Sequence, residues 1–525
     1  MIRLLPAVLV GVVLAAPADS AQQSPSATHR KTTKADATPA ERLVAEGVAL
    51  LKAQRIDDAA ARFDDAAHRD PSLATAHYYL GTVYEQRKDP AAAEREYRRT
   101  IELAPSMAAA HDRLGFVLGQ QGHTDDAIAS FERATTLDPT LFDAQYHLGA
   151  TRWWTKRPDL ARPALEAAVR LDPATADARY YLGVTLRQLG DLEGAIGQLR
   201  ESTRLAPRLA IAHEYLGIAL RESGDLDGAV AELQDALRLD AARDDAANAL
   251  GLAYMQRGDA DLAVETFRAL VTRAPSNGAA RHNLGTAYMQ KGDLEAAVRE
   301  FRELTTREPT NAEAFYNLGT ALKQQDNFAD AEQALRQSIR LRTDLPESHF
   351  TLGVVLWQTR HLEDAAASFR EALAERPAYA EAHYMLGTVL RQLGQADEAF
   401  AEFQRTLELD SDSAEAWLSI GQILQRRQDK PGSEKAFAEA ARLRQKKADQ
   451  QAATFAVSTG MKQLAAGDVA GAVAQLKEAV RLDAQNAQAQ YQLGRALQQS
   501  GETGQAKLAF DEARRLLAAR SDHAK

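Results

Sequence analysis

The stretch HNLGTAYMQKGDLEAAVREFRELTTREP, His282 to Pro309, decides the fold. Apolar residues recur at three- and four-residue spacing on both sides of Gly292-Asp293, which is the pattern of two short amphipathic helices joined by a tight turn. Gly285 on the first helix and Ala297 on the second are small enough to let the two helices approach closely. Phe301, four residues on, fills the next gap, and Pro309 stops the second helix.

The same frame runs along nearly the whole chain. A glycine recurs every 34 residues at Gly47, Gly81, Gly115, Gly149, Gly183, Gly217, Gly251, Gly285, Gly319, Gly353, Gly387 and Gly421, and after a slip of five residues at Gly460 and Gly494. Twelve residues after each glycine stands an alanine, with Ser433 the one exception. Four further on comes Phe, Tyr or Leu, as in Phe63, Tyr97 and Phe369, and proline closes many units, as at Pro71, Pro139 and Pro377. One such hairpin cannot bury its apolar faces alone, but a stack can. Composition agrees: unbranched helix formers dominate, and a hydrophobic content of 45% suffices for a core.

Period, Leu-Gly pair, later Ala, Phe and closing Pro together resemble the tetratricopeptide repeat. The resemblance covers roughly residues 40 to 518 in fourteen copies. It implies an all-α fold, a right-handed superhelical α-solenoid of about fourteen helical hairpins. The expected organisation is a signal peptide over 1–18, a polar spacer over 19–40 and a twelve-repeat array over 41–444. A polar break over 445–452, a two-repeat segment over 453–519 and a short tail over 520–525 complete it. The break, rich in Gln and Lys and free of Pro and Gly, reads as an extended helix end that resets the stacking. In the ninth repeat Thr343 replaces the closing proline and Pro346 comes three residues late, so a kink is expected there.

Arg3, the apolar run Leu4 to Ala16 and the small residues around Ala18 match a secretory signal with cleavage after about residue 18 to 20. The run is short for a membrane span, which takes about 20 residues. An extracytoplasmic, periplasmic location is the expectation, without a lipid anchor, because the chain has no cysteine. The same absence excludes disulfides and thiolate chemistry. A net charge of −10 from 63 basic and 73 acidic residues argues against nucleic acid as a partner.

No catalytic residues, cofactor or metal site are expected. Fourteen units account for the chain between spacer and tail, leaving no stretch for a catalytic domain. His77, His111, His213, His349 and His383 share one place, four residues before the glycine, which marks a packing position. His213-Glu214 begins a zincin-like pair, but Gly217 stands where the second ligand would be, and Gly501 to Lys507 lacks the ending of a phosphate loop.

By the resemblance, the first helix of each hairpin lines a concave groove that takes protein segments. The fourth and fifth residues after the glycine then form its wall. The fourth place holds Trp153, Arg187, Arg221, Met255, Met289, Lys323, Trp357 and Arg391, and the fifth holds Gln188, Gln256, Gln290, Gln324, Gln358 and Gln392. Glutamine both donates and accepts, so a ladder of them can hold an extended backbone without reading its sequence. Equally, glutamine there can serve solubility alone. Trp and Arg are enriched at interface hot spots, and Met suits adaptable surfaces. Trp153-Trp154 is unusual: one of the pair is expected to be exposed or gripped by the next repeat. Asn283 and Asn317 sit where carboxylate-clamp members carry Asn, without the accompanying basic residues.

The favoured expectation is a non-enzymatic scaffold or adaptor in envelope assembly or export, binding protein segments in that groove. One alternative is a recognition arm for a separately encoded transferase or for a polysaccharide or pilus export machine. A second is a structural spacer working through its ends. Self-association through an uncapped C-terminal repeat is also expected, and no stable membrane span after signal cleavage.

Overall fold

Each hairpin is punctuated at the same two positions. Seven residues after every repeat glycine the backbone is left-handed: Gly in eight hairpins, and Gln54, Lys88, Lys156, Asp326, Arg360 and Gln428 in the other six. Glycine enters that region without strain, which is why it predominates. The next residue is often Asp, and it caps the second helix: Asp191 Oδ1 accepts from the Gly194 N–H at 2.9 Å, and Asp225 from Gly228 at 3.0 Å.

In the computed structural model, the described residues are 37–522, with side chains to 519. The expected signal peptide and residues 19–36 of the expected spacer lie outside them. Among the described residues there are helices and turns but no strand, and the fold is an all-α solenoid of stacked hairpins. The described residues form two compact units, one ending at Lys291 and the other beginning at Gly292.

The first unit contains α1 (Pro39–Lys52), α2 (Ile56–Arg69), α3 (Ala74–Gln86), α4 (Pro90–Leu103) and α5 (Ala108–Gln120). It continues through α6 (Thr124–Leu137), α7 (Phe142–Trp154), α8 (Pro158–Leu171), α9 (Ala176–Gln188) and α10 (Leu192–Leu205). It closes with α11 (Ala210–Ser223), α12 (Leu226–Leu239), α13 (Asp244–Arg257), α14 (Ala260–Arg273) and α15 (Gly278–Lys291). α1 begins at Pro39 behind a Thr38–Glu41 capping box, two residues before the expected start of the array.

The second unit contains α16 (Leu294–Arg307), α17 (Ala312–Gln324), α18 (Phe328–Leu341), α19 (Pro346–Gln358), α20 (Leu362–Glu375) and α21 (Ala380–Gln392). It ends with α22 (Ala396–Leu409), α23 (Ala414–Arg426), α24 (Lys430–Ala465), α25 (Val469–Leu482), α26 (Ala487–Gln499) and α27 (Thr503–Asp522). At Pro346, where a kink was expected, no helix is interrupted. α18 ends at Leu341, and Pro346 takes the first position of α19, where its missing N–H costs nothing.

The 445–452 break is helical. α24 runs unbroken for 36 residues, so one rod serves as the second helix of hairpin twelve and the first helix of hairpin thirteen. Hairpins thirteen and fourteen have their own core, built on Ala453, Val457, Leu476, Leu493 and Leu497. α27 continues past Ala519, so the last helix overlaps the expected tail.

Packing within hairpins follows the glycine. A Cβ on Gly81 would lie 2.6 Å from the Tyr97 ring, and one on Gly183 2.6 Å from Leu199 Cγ. The residue sixteen after the glycine therefore occupies the space that the glycine leaves open. It also reaches the next hairpin: Phe63 stacks on Tyr79 at 5.2 Å, and Phe131 meets His147 at 5.4 Å.

Candidate partner-binding surface

First helices of neighbouring hairpins touch in most pairs within each unit, whereas among the described residues successive second helices make no comparable approach. The first helices therefore form the inner wall of each stack, and the residues facing along that wall are set by helical spacing.

The structure separates the two predicted rows. Residues four after the glycine are half-buried: Trp153, Arg187, Arg221, Met255 and Met289 in the first unit, and Lys323, Trp357 and Arg391 in the second. Residues five after it, Gln188, Gln256, Gln290, Gln324, Gln358 and Gln392, are exposed at the C-terminal ends of the same helices.

Part of the ladder is spent on the wall itself. Gln290 Nε2 donates to the Met255 carbonyl at 2.9 Å, and Trp357 Nε1 donates to Gln392 Oε1 at 3.3 Å. Arg187 pairs with Glu222 at 2.8 Å, the residue that replaces glutamine in the next hairpin, and Arg391 donates to Gln422 at 2.9 Å. Each bond joins one hairpin to its neighbour. Trp153 is gripped as the sequence suggested: its ring meets Tyr181 of the next hairpin edge-on at 5.4 Å and its partner Trp154 at 6.3 Å.

Several donors on the wall remain unmatched. Tyr146 OH, Trp153 Nε1, Arg187 Nε and Arg221 Nε in the first unit, and Arg391 Nε in the second, are buried without a hydrogen-bond partner among the described residues. Lys323 is half-buried, and burial pushes its ammonium below the ordinary lysine value.

The sequence reading missed two features of the wall. The first is an aromatic run: Tyr146 meets Tyr181 at 5.8 Å, Tyr180 meets Tyr215 at 5.7 Å, and the Arg187 guanidinium lies 5.6 Å over Tyr215. Its signal was the aromatic recurring three residues before the glycine, at Tyr78, Tyr146, Tyr180, Tyr316, Phe350, Tyr384 and Tyr491. The second is a buried polar cluster on α3, α4, α5 and α7. Arg113 lies 3.8 Å from Glu85 and 4.0 Å from Asp143, Tyr97 OH donates to Glu85, and His147 Nδ1 donates to Asp112 Oδ1 at 2.9 Å. Burial raises Glu85 and pushes Tyr78 up to about 12. Burial also works against a charged His147, but the Asp112 carboxylate outweighs it and leaves the imidazole above its ordinary value. The polar cluster pairs residues that do not adjoin in sequence, so no local motif announces it.

The recurrent histidines serve the hairpin. His77, His213 and His383 bond Glu96, Glu232 and Glu402 of their own second helices at 2.8, 2.7 and 2.6 Å. Among the described residues no group of three or more His, Cys, Asp or Glu could hold a metal ion, and no helix is long and apolar enough to cross a membrane. Asn283, considered for a carboxylate clamp, instead donates to Asn248 of the preceding hairpin at 2.7 Å.

No curated protein sequence is a significant match. Among solved structures, MamA is 26% identical over 31% of this chain and 96% of its own, with a TM-score of 0.31. YrrB, described as a TPR protein with an unusual peptide-binding site, is 24% identical over 35% of this chain and 95% of its own, with a TM-score of 0.33. The Cut9–Hcn1 hetero-tetramer of the APC/C matches over 88% of this chain and 97% of its own, at 16% identity and a TM-score of 0.32. Family models described as tetratricopeptide repeat match residues 44–108, 108–141, 155–210, 215–278, 254–309, 282–346, 350–414 and 392–452. A further TPR-repeat model matches 464–501. With these models matching well over half of its length, and with the hairpin geometry they describe repeated along it, the chain belongs to the tetratricopeptide-repeat family.

Proposed function

We propose that this chain is a non-enzymatic interaction scaffold that holds protein segments along the first-helix wall of its hairpins. The observation that carries the proposal is the pairing, on first helices of both units, of a half-buried row of Trp153, Arg221, Met255, Lys323 and Trp357 with a bordering row of exposed glutamines. Half-buried Arg221 in the first unit and Lys323 in the second add positive charge to that row. The preferred segment is therefore rich in carboxylates or free carbonyls, with apolar residues for the Trp, Tyr and Met surfaces. Exposed Gln188, Gln256, Gln324 and Gln358 border the wall and suit backbone contacts.

Export to the cell envelope, with a part in assembling or exporting surface structures, belongs to the same proposal and is supported by the N-terminal signal-like segment. The test is capture from envelope extract by the full chain and by a variant carrying Gln188→Ala, Arg221→Ala and Gln358→Ala. The variant should keep its helical circular dichroism and lose the captured species. Capture at the parental level would reject the wall as the binding surface.

A further inference from the structure

Within each unit, the joints between stacked hairpins follow one rule. The residue two before a repeat glycine meets the preceding hairpin at the residue sixteen after its glycine, as Tyr79 meets Phe63, or at the one three before it, as Tyr181 meets Tyr146 and Asn283 bonds Asn248. His147 does both, meeting Phe131 at 5.4 Å and bonding Asp112 at 2.9 Å. Where the joint is made, the residue sixteen after the glycine is fully buried, as at Phe63, Tyr97, Phe369 and Phe403. The alanine five before the next glycine is buried as well, as at Ala110 and Ala416.

Between hairpins twelve and thirteen the joint is not made. Phe437, sixteen after Gly421, is partly exposed, although it fills the space beside its own glycine as its counterparts do. Across the gap, Ser458, two before Gly460, is exposed, and the buried alanine is replaced by Phe455 at 74% exposure. The cause is α24. Elsewhere a turn folds the chain back between hairpins, but here the helix runs on unbroken, and Lys446, in the stretch where the turn would stand, bonds Asp412 of the preceding turn at 2.7 Å. Phe437 and Ser458 lie 21 residues apart on one rod, so at 1.5 Å per residue they are about 31 Å from each other. Two faces built to stack are held apart by the segment that connects them.

We propose that residues 453–519 of one chain stack on hairpin twelve of a second copy, and that the exchange is reciprocal. The occupant follows from the face itself. What covers the counterparts of Phe437 within each unit is another hairpin of this same chain, and hairpin thirteen presents the unused matching face. A straight helix in place of a turn is how such an element is passed between protomers. Reciprocal exchange gives a closed two-fold dimer in which each chain contributes the same pair of faces. Phe455, a liability on a monomer, becomes an apolar contact in the dimer. This joint lies apart from the partner-binding wall and stands independently of it.

The full chain should sediment as a dimer at micromolar concentration. Phe455→Glu, at an exposed site, should weaken dimerisation at least tenfold with unchanged circular dichroism. Because the chain has no cysteine, a second measurement is clean. The double variant Leu418→Cys/Ser458→Cys should form a covalent dimer on oxidation, since those positions meet only across the exchanged joint, and neither single variant should do so. A monomer at all concentrations would overturn the proposal. So would a disulfide formed within one chain, or a dimer that Ser458→Cys alone can cross-link.

Discussion

Gly183 and Gly197 stand fourteen residues apart in one hairpin, and replacing each with alanine should move stability in opposite directions. A Cβ on Gly183 would lie 2.6 Å from Leu199 Cγ, 3.1 Å from Leu199 Cδ2 and 3.2 Å from the Ala195 carbonyl. Leu199 is fully buried and has no room to withdraw. Overpacking of this kind costs about 1–3 kcal/mol, and alanine's better helix propensity returns about 0.5–1 kcal/mol. The net cost of Gly183→Ala is then about 0.5–2 kcal/mol, and Gly183→Val exceeds it because valine is larger and stiffer. Gly197 lies on the exposed face of α10 with nothing within 4 Å of its missing Cβ. Gly197→Ala should therefore stabilise by about 0.5–1 kcal/mol. In a stack where each hairpin touches only its neighbours, the effect is local. Amide hydrogen exchange over residues 176–205 reads it directly. Opening should become about two- to thirtyfold easier in Gly183→Ala and about two- to fivefold harder in Gly197→Ala. Equal shifts in the two variants would refute the close-approach role of the repeat glycine.

Two further outcomes follow from the turn and from the buried cluster. Lys156 holds φ at +60°, so Lys156→Gly should relieve part of a left-handed penalty of about 1–2 kcal/mol, whereas Gly190→Ala at φ +83° should incur one; melting temperatures of the two variants should move in opposite directions. His147 has a folded-state value raised above its ordinary 6.5 by Asp112, so its stabilising contribution is fully present below about pH 6.5 and is lost as pH rises through the raised value. Urea unfolding of the parent between pH 6 and 9 should show a loss that His147→Gln lacks, and parallel pH profiles would contradict the charged pair.

The hairpins were legible because the chain states them fourteen times. Each glycine, alanine and aromatic acts through a neighbour at fixed spacing, so a periodic pattern in one dimension encodes contact in three. The half-buried row of Trp153, Arg221 and Lys323 was legible for the same reason. What escaped notice depends on particular partners one repeat away. Gln290 looks like every other glutamine in its row, yet it bonds the Met255 carbonyl. Asp112 and His147 lie 35 residues apart and become a pair only because the hairpins stack. The break at 445–452 was visible as a five-residue slip, but whether it bends or continues depends on its residues: with no glycine or proline to end it, the helix goes on.

The central claim, that the first-helix wall takes protein segments, is tested most directly by photo-cross-linking in living cells. A benzophenone amino acid placed at Gln188 or Gln358, both exposed beside the wall, should yield discrete adducts with other proteins. The same probe at Ala231 or Ala367, exposed on second helices α12 and α20, should yield none. Adducts from the second-helix positions with none from Gln188 or Gln358 would contradict the account.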